Sequence, residues 1–390
     1  MADKPLAKEK LFFPNLDGFR FFCFFAVFLY HCNGTILRKI SNENAKKCFN
    51  FLFQNGDTGV NAFFVLSGFL ITFLLIKEKN LNDNISLKNF YIRRVLRIWP
   101  LFYICVFLGF VAFPYVKFRM FPSPDEIADY RYYISFACNF DFIRIRAQSF
   151  NALPDASFLA ALWSVAVEEQ FYLVWPVTLK YSSSKKYPLI FLGIIFFTLV
   201  FRSFYTGGAP IDLAVRSFHT FSVIGDMALG GMTAYYCSYN SMFLRHINKM
   251  PRWQIVAVYI LAIVVLLFKK PIFASPFLMV PERLILALLF AFIIAEQNFA
   301  ENSFFKFSSL KKISVLGTYT YGLYCLHFIV ITGIIFIIEK YRIDVSSLLK
   351  GTLVCITAFL LSVVVSWLSY HLFEKHFLKL KNKFSFIVKS

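Results

Sequence analysis

Long apolar runs recur from one end of this chain to the other, separated by short charged loops. As a helix, a run of about 20 such residues crosses the hydrocarbon of a bilayer. A water-soluble fold has no room for them: 58% of the 390 residues are hydrophobic and 20% aromatic, with 52 Phe. Charged residues make up 16%, against about 25% in ordinary soluble domains. The runs predict an all-α integral membrane protein, a polytopic helical bundle of about ten transmembrane helices. The spans are placed near Leu16–Leu37, Asp57–Ile76, Ile98–Tyr115, Trp163–Leu179, Tyr187–Phe201, Phe218–Tyr236, Ile255–Phe268, Leu284–Ala295, Ile313–Ile338 and Leu348–Phe373. Some of these runs are short and others long, so tilted helices or half-spans are expected. No segment outside them could hold a soluble core, and no period of 20–50 residues marks a solenoid. The chain therefore reads as a single membrane domain, residues 1–390, with one long loop at 117–162 on the outer side.

The net charge of +19 raises the question of a nucleic-acid partner, and the placement of the charges argues against one. Lys and Arg are denser in the loops on the N-terminal side, and acids favour the opposite loops. The positive-inside rule then puts both termini in the cytoplasm. The remaining basic surplus needs only membrane lipid as its partner. The basic N-terminal arm leads into an apolar run too long for a cleavable signal, so that run is expected to stay as the first span. Six of the eight Cys fall in spans and read as small apolar residues. Cys48 and Cys138 fall in outer loops and could pair in an oxidising compartment. No Cys/His spacing suggests a metal site.

Ionisable residues within spans are costly, and so they are functional candidates. Arg20 and His31 are 11 residues apart, about 20° from eclipsed on a helix and roughly 16 Å apart along its axis. One face would thus join a cation at the inner edge, near Asp17, to an imidazole in the outer half. The alternative is an interfacial anchor plus a hydrogen-bonded buried His. In Trp163–Trp175, Glu168 and Glu169 are adjacent and point in different directions, while Ser164, Glu168 and Tyr172 recur at i, i+4 and i+8 on one polar face. Asp226 and His327 also fall in outer halves, so His31, Glu168, Asp226 and His327 are expected to converge at similar depth. Arg93, Arg94 and Arg97 form one basic face on Ser86–Arg97, read as an interfacial helix capped by Ser86 that turns inward at Trp99–Pro100. Arg forks suit phosphate oxygens, although plain membrane anchoring would also place Arg there. A His near carboxylates is a usual base for activating a hydroxyl.

Six blocks add to this reading: Leu16–His31 (LDGFRFFCFFAVFLYH), Gly59–Thr72 (GVNAFFVLSGFLIT), Phe90–Tyr103 (FYIRRVLRIWPLFY), Leu162–Pro176 (LWSVAVEEQFYLVWP), Tyr321–His327 (YGLYCLH) and Phe373–Leu378 (FEKHFL). In these blocks and their order the chain resembles the acyltransferase-3 family of integral membrane O-acyltransferases, which includes bacterial polysaccharide and O-antigen O-acetylases. The resemblance implies transfer of an acyl group, acetyl first, from cytoplasmic acyl-CoA to a hydroxyl of a cell-surface or lipid-linked glycan, in a bacterial inner membrane and without a metal. It implies that His31 is catalytic and that Arg94 and Arg97, with Arg20, handle the acyl-CoA. It also implies a role for Glu168 and Glu169. His376 departs from the family, which commonly has Pro there. Some members carry an additional extracytoplasmic hydrolase-like domain, and none is expected after Phe373. The rival class is a secondary transporter or lipid flippase, which intramembrane Asp, Glu and His would also suit. No internal symmetry of the kind many transporters show is visible in the sequence.

Overall fold

Among the described residues, the apolar runs become ten long helices, gathered into one bundle. The computed structural model describes residues 9–10, 13–115, 128–148, 159–385 and 387–388. The long helices are α1 (Pro14–Thr35), α2 (Thr58–Asn82), α3 (Leu87–Phe107), α4 (Leu162–Tyr181), α5 (Tyr187–Ser203), α6 (Thr220–Tyr239), α7 (Arg252–Leu267), α8 (Glu282–Phe299), α9 (Thr320–Lys340) and α10 (Leu348–Ser369). Short helices join them. Ser86 and Ser347 cap α3 and α10 through their side-chain oxygens, satisfying amides that a helix start leaves open. A two-residue parallel pairing of Glu9–Lys10 with Ile387–Val388 brings the segments at the two ends of the bundle to the same side.

Ten helices are not ten membrane spans. Among the described residues, six helical stretches are long and apolar enough to cross a membrane: Pro14–Lys39, Glu43–Asn82, Leu87–Tyr115, Ser184–Ser203, Thr320–Lys340 and Leu348–Phe384. A seventh is possible if Ser241–Asn248 and α7, which meet at 90°, count as one broken span. The expectation of about ten fails on α4, α6, α7 and α8, for physical reasons. α7 has 16 residues, about 24 Å of helix, short of the hydrocarbon thickness on its own. α4 carries Glu168, Glu169 and Gln170, α8 carries Glu282, Arg283, Glu296 and Gln297, and α6 carries Asp226 among Ser, Thr and Gly. Such helices need protein around their polar groups, and α6 finds it by packing on α2, α5 and α8.

The α2–α6 contact is close enough to be made backbone to backbone. A Cβ on Gly68 of α2 would overlap the carbonyl of Met227, and one on Gly230 of α6 would overlap that of Val65. In lipid, where apolar burial drives helix pairing little, close approach at small residues supplies dispersion contacts in its place. The core beside it is largely aromatic: Phe24, Phe64, Phe69, Phe102 and Phe191 are fully buried.

Two further expectations are corrected. Ser86–Arg97 is not a separate interfacial helix, because α3 runs unbroken through Trp99 and Pro100 to Phe107. Arg93 finds partners in Glu78 and the Phe384 carbonyl, which holds the segment in the bundle. Cys48 and Cys138 do not pair; both are free, Cys48 exposed and Cys138 buried. Of the long loop 117–162, residues 128–148 and 159–162 are described, with helices at Tyr130–Ile134 and Cys138–Arg146. Pro122, Pro124 and Pro154 lie outside the described residues.

Gly68→Val and Gly230→Val each force α2 and α6 apart. Each is expected to lower stability by about 1–3 kcal/mol or more, seen as a lower midpoint for thermal unfolding in detergent, whereas Gly193→Ala, on an open face of α5, does not lower it.

Candidate functional site

A cavity of about 440 Å³ enters the bundle beside the starts of α1 and α9 and the end of α10. α1 contributes Asp17 and Arg20, α3 contributes Arg94 and Arg97, and α4 contributes Ser164, Glu168 and Tyr172. Ser67, Tyr321, Tyr324, Glu374 and Lys381 also belong to its polar lining. The i, i+4, i+8 face of α4 thus looks into one space.

The cations in it differ in their partners. Arg20 is ion-paired to Asp17, one turn earlier on α1. Arg94 lies across the rings of Phe90 and Tyr172, with its guanidinium carbon 5.5 and 5.3 Å from their centroids. Its buried Nε meets no acceptor among the described residues. Arg97 has no ion-pair partner among the described residues either. Two cations with donors to spare, walled by apolar and aromatic side chains, suit an anionic ligand with several oxygens.

Arg93 belongs elsewhere. It is buried, pairs with the fully buried Glu78 at 3.1 Å and donates to the Phe384 carbonyl at 2.8 Å. Glu78 also accepts the Ser86 amide at 2.9 Å. This knot ties the start of α3 to the end of α2 and to the C-terminal segment, and it does not line the cavity.

Glu168 and Glu169 part as their adjacency requires. Glu168 accepts from Ser67 at 2.9 Å and from Tyr172 at 2.8 Å, inside the cavity. Glu169 turns outward to accept from the Trp99 indole at 2.8 Å.

At its inner limit the cavity reaches Ser164 and Tyr324, whose hydroxyls are 2.6 Å apart. One turn along α9 from Tyr324 is His327, fully buried. Its Nε2 is 2.9 Å from His31 Nδ1. Phe24 and Phe28, on the α1 face between Arg20 and His31, pack their rings on His327. Neither imidazole lines the cavity.

The expected four-residue convergence does not occur. His31 meets His327, but Asp226 is bound by Arg283 at 2.5 Å and by Asn61 at 3.3 Å, with its carboxylate turned to α8. Arg283 was missed because it sits at the polar start of a helix that hydropathy reads only from Leu284. Asp226 is thus drawn off as half of an ion pair. Ser67, Tyr324, Glu374 and Lys381 were also missed. Tyr324 had a signal, since it lies three residues before His327 and shares its face. Among the described residues, no group of three or more His, Cys, Asp or Glu could hold a metal ion.

The Acyltransferase domain family matches residues 13–371, and the chain belongs to that family. Among its relatives is the peptidoglycan O-acetyltransferase OatA of Listeria monocytogenes, 30% identical over 335 residues, 83% of this chain and 50% of the relative. The O-acetyltransferase OatA of Staphylococcus aureus is 28% identical over 82% of this chain and 51% of its own length. A putative peptidoglycan O-acetyltransferase of Bacillus subtilis, YrhL, is 32% identical over 43% of this chain and 24% of its own length. The chain spans about half the length of the OatA relatives it matches. No solved structure matches it.

Arg93→Ala strands Glu78 as an unpaired buried charge, which costs about 3–5 kcal/mol, whereas Arg97→Ala removes no ion pair. Thermal unfolding should therefore separate two arginines four residues apart, with a large fall for Arg93→Ala and little change for Arg97→Ala.

Proposed function

We propose that this protein is a membrane O-acyltransferase that moves an acyl group, acetyl first among them, from cytoplasmic acyl-CoA to a hydroxyl of a cell-surface or lipid-linked glycan. The observation that carries this reading is the division of the site into two chemistries. A cavity with under-partnered arginines opens at one end of the bundle, and an imidazole pair lies beyond its inner limit. Membership of the acyltransferase family and likeness to the OatA O-acetyltransferases support acetyl as the group and a wall glycan as the acceptor class.

In this reading both termini are cytoplasmic, and residues 1–390 act as one membrane domain in the inner membrane. Arg94 and Arg97, with Arg20, take the phosphates of acyl-CoA, and the thioester arm runs inward past Glu168, Tyr172 and Ser67. His31 is the general base. A proton leaves the acceptor hydroxyl for His31 as the oxygen attacks the thioester carbonyl carbon. The carbon–sulfur bond then breaks, and the departing thiolate takes that proton back from His31. Atoms and charge balance without a metal. The 117–162 loop shapes the acceptor side. Its described part meets the bundle near the starts of α4 and α6, where Gln170 donates to the Phe136 carbonyl and to Asn139 at 2.8 and 2.9 Å.

Purified protein given radiolabelled acetyl-CoA and a surface-glycan fraction should release CoA and label the glycan. His31→Ala is expected to lose about 100-fold or more of that turnover. Arg97→Ala is expected to raise KM for acetyl-CoA by about 10- to 100-fold, the worth of one charge-assisted contact, with turnover nearly kept. Full transfer by well-folded His31→Ala protein would sink the assignment. Uptake of label into vesicles without thioester loss would make the protein a carrier.

A further inference from the structure

We propose that His327 is a positioning residue that fixes the tautomer of His31, leaving the His31 lone pair on Nε2. This deepens the proposed function and rests on His31 being the base.

With both rings neutral, the hydrogen bonds leave one assignment. His327 Nδ1 is 2.8 Å from the Tyr324 carbonyl oxygen and 3.1 Å from that of Leu323. A carbonyl oxygen can only accept, so the proton of His327 is on Nδ1. A neutral imidazole has one N–H, so its Nε2 is a bare acceptor. The atom facing it at 2.9 Å is His31 Nδ1, which must donate. His31 Nε2 is then the unprotonated nitrogen, on the ring edge turned away from His327, and it is the atom that can receive a hydroxyl proton. The backbone of α9 thus dictates, through one imidazole, which nitrogen of a second imidazole acts.

The rings are held for this. They are near-parallel, 17° apart with centroids separated by 5.1 Å. Phe24 meets His327 edge-on at 5.5 Å, and Phe328 meets His31 edge-on at 4.6 Å. The orienting partner also differs in charge from the carboxylate that orients the base in a Ser–His–Asp triad. When His31 takes a proton it goes on donating to His327 Nε2, and this partner, unlike a carboxylate, brings no negative charge to the new imidazolium.

Three substitutions separate positioning from packing. His327→Phe and His327→Leu remove the acceptor with different shapes, whereas His327→Gln can place its Oε1 near the former Nε2 and still accept from His31. With acetyl-CoA and a surface-glycan fraction, both acceptor-free variants should lose about 100-fold or more in kcat, while KM for acetyl-CoA stays within about twofold. His327→Gln should recover at least about tenfold of that loss. Near-normal kcat in either acceptor-free variant overturns the proposal. So does a His327→Gln protein that is monodisperse, binds CoA and is no better than the acceptor-free pair. His31→Ala is assayed alongside: if it keeps full turnover, the assignment of the base has failed, and if it alone is inactive while His327→Phe turns over normally, only the role of His327 has failed.

Discussion

A charge inside a membrane bundle must be partnered within the protein or left deliberately available, because lipid offers it nothing. That constraint orders this structure. Glu78 is closed off by Arg93 and the Ser86 amide, and Asp226 by Arg283 and Asn61. Arg202, also fully buried, donates to the carbonyls of Val280, Met279 and Arg216. Against this background of satisfied groups, Arg94 and Arg97 stand apart. Their spare donors have meaning because the buried charges of Glu78, Asp226 and Arg202 are spent.

The same constraint explains why the long helices and the membrane spans differ in number. A helix that carries buried ionisable groups must be wrapped by other helices, so the outer layer is apolar and the inner layer need not be. α6 is the clearest case. Its glycines let α2 come within backbone contact, and that closeness shields Asp226. The polar face of α4 is sheltered in the same way by α2, α3 and the start of α9, and that shelter becomes the wall of the cavity.

How much of this was legible in the sequence depended on whether a signal was local. Helix positions were legible, because apolar runs and caps such as Ser86 are properties of consecutive residues. The divergence of Glu168 and Glu169 and the shared face of Ser164, Glu168 and Tyr172 followed from helical period alone. The span count was not legible: hydropathy treats a run as though lipid surrounds it, and α4, α6 and α8 turn their buried polar residues to protein. Partner choice was also hidden. Nothing near Asp226 in the chain announces Arg283, 57 residues on, and nothing near Arg93 announces Glu78 as its counter-ion ahead of other acids. The arginine triplet looked uniform in sequence, yet tertiary contacts split it into one anchor and two cavity cations.

The rings of Phe24 and Phe28, set on α1 between Arg20 and His31, have a consequence for the membrane as a whole. A bundle with a polar entrance on one face and a polar site near the other risks becoming a leak. Here the cavity stops at Ser164 and Tyr324, and beyond it two phenyl rings close on an imidazole. To a hydrated ion this layer is a dielectric plug, since crossing it means shedding water with no replacement ligands. In the proposed reaction, a neutral, flexible thioester arm carries no hydration shell to shed and would meet only side chains there. The plug would thus suit a transfer between the two faces of the bilayer that keeps the ion gradients across it.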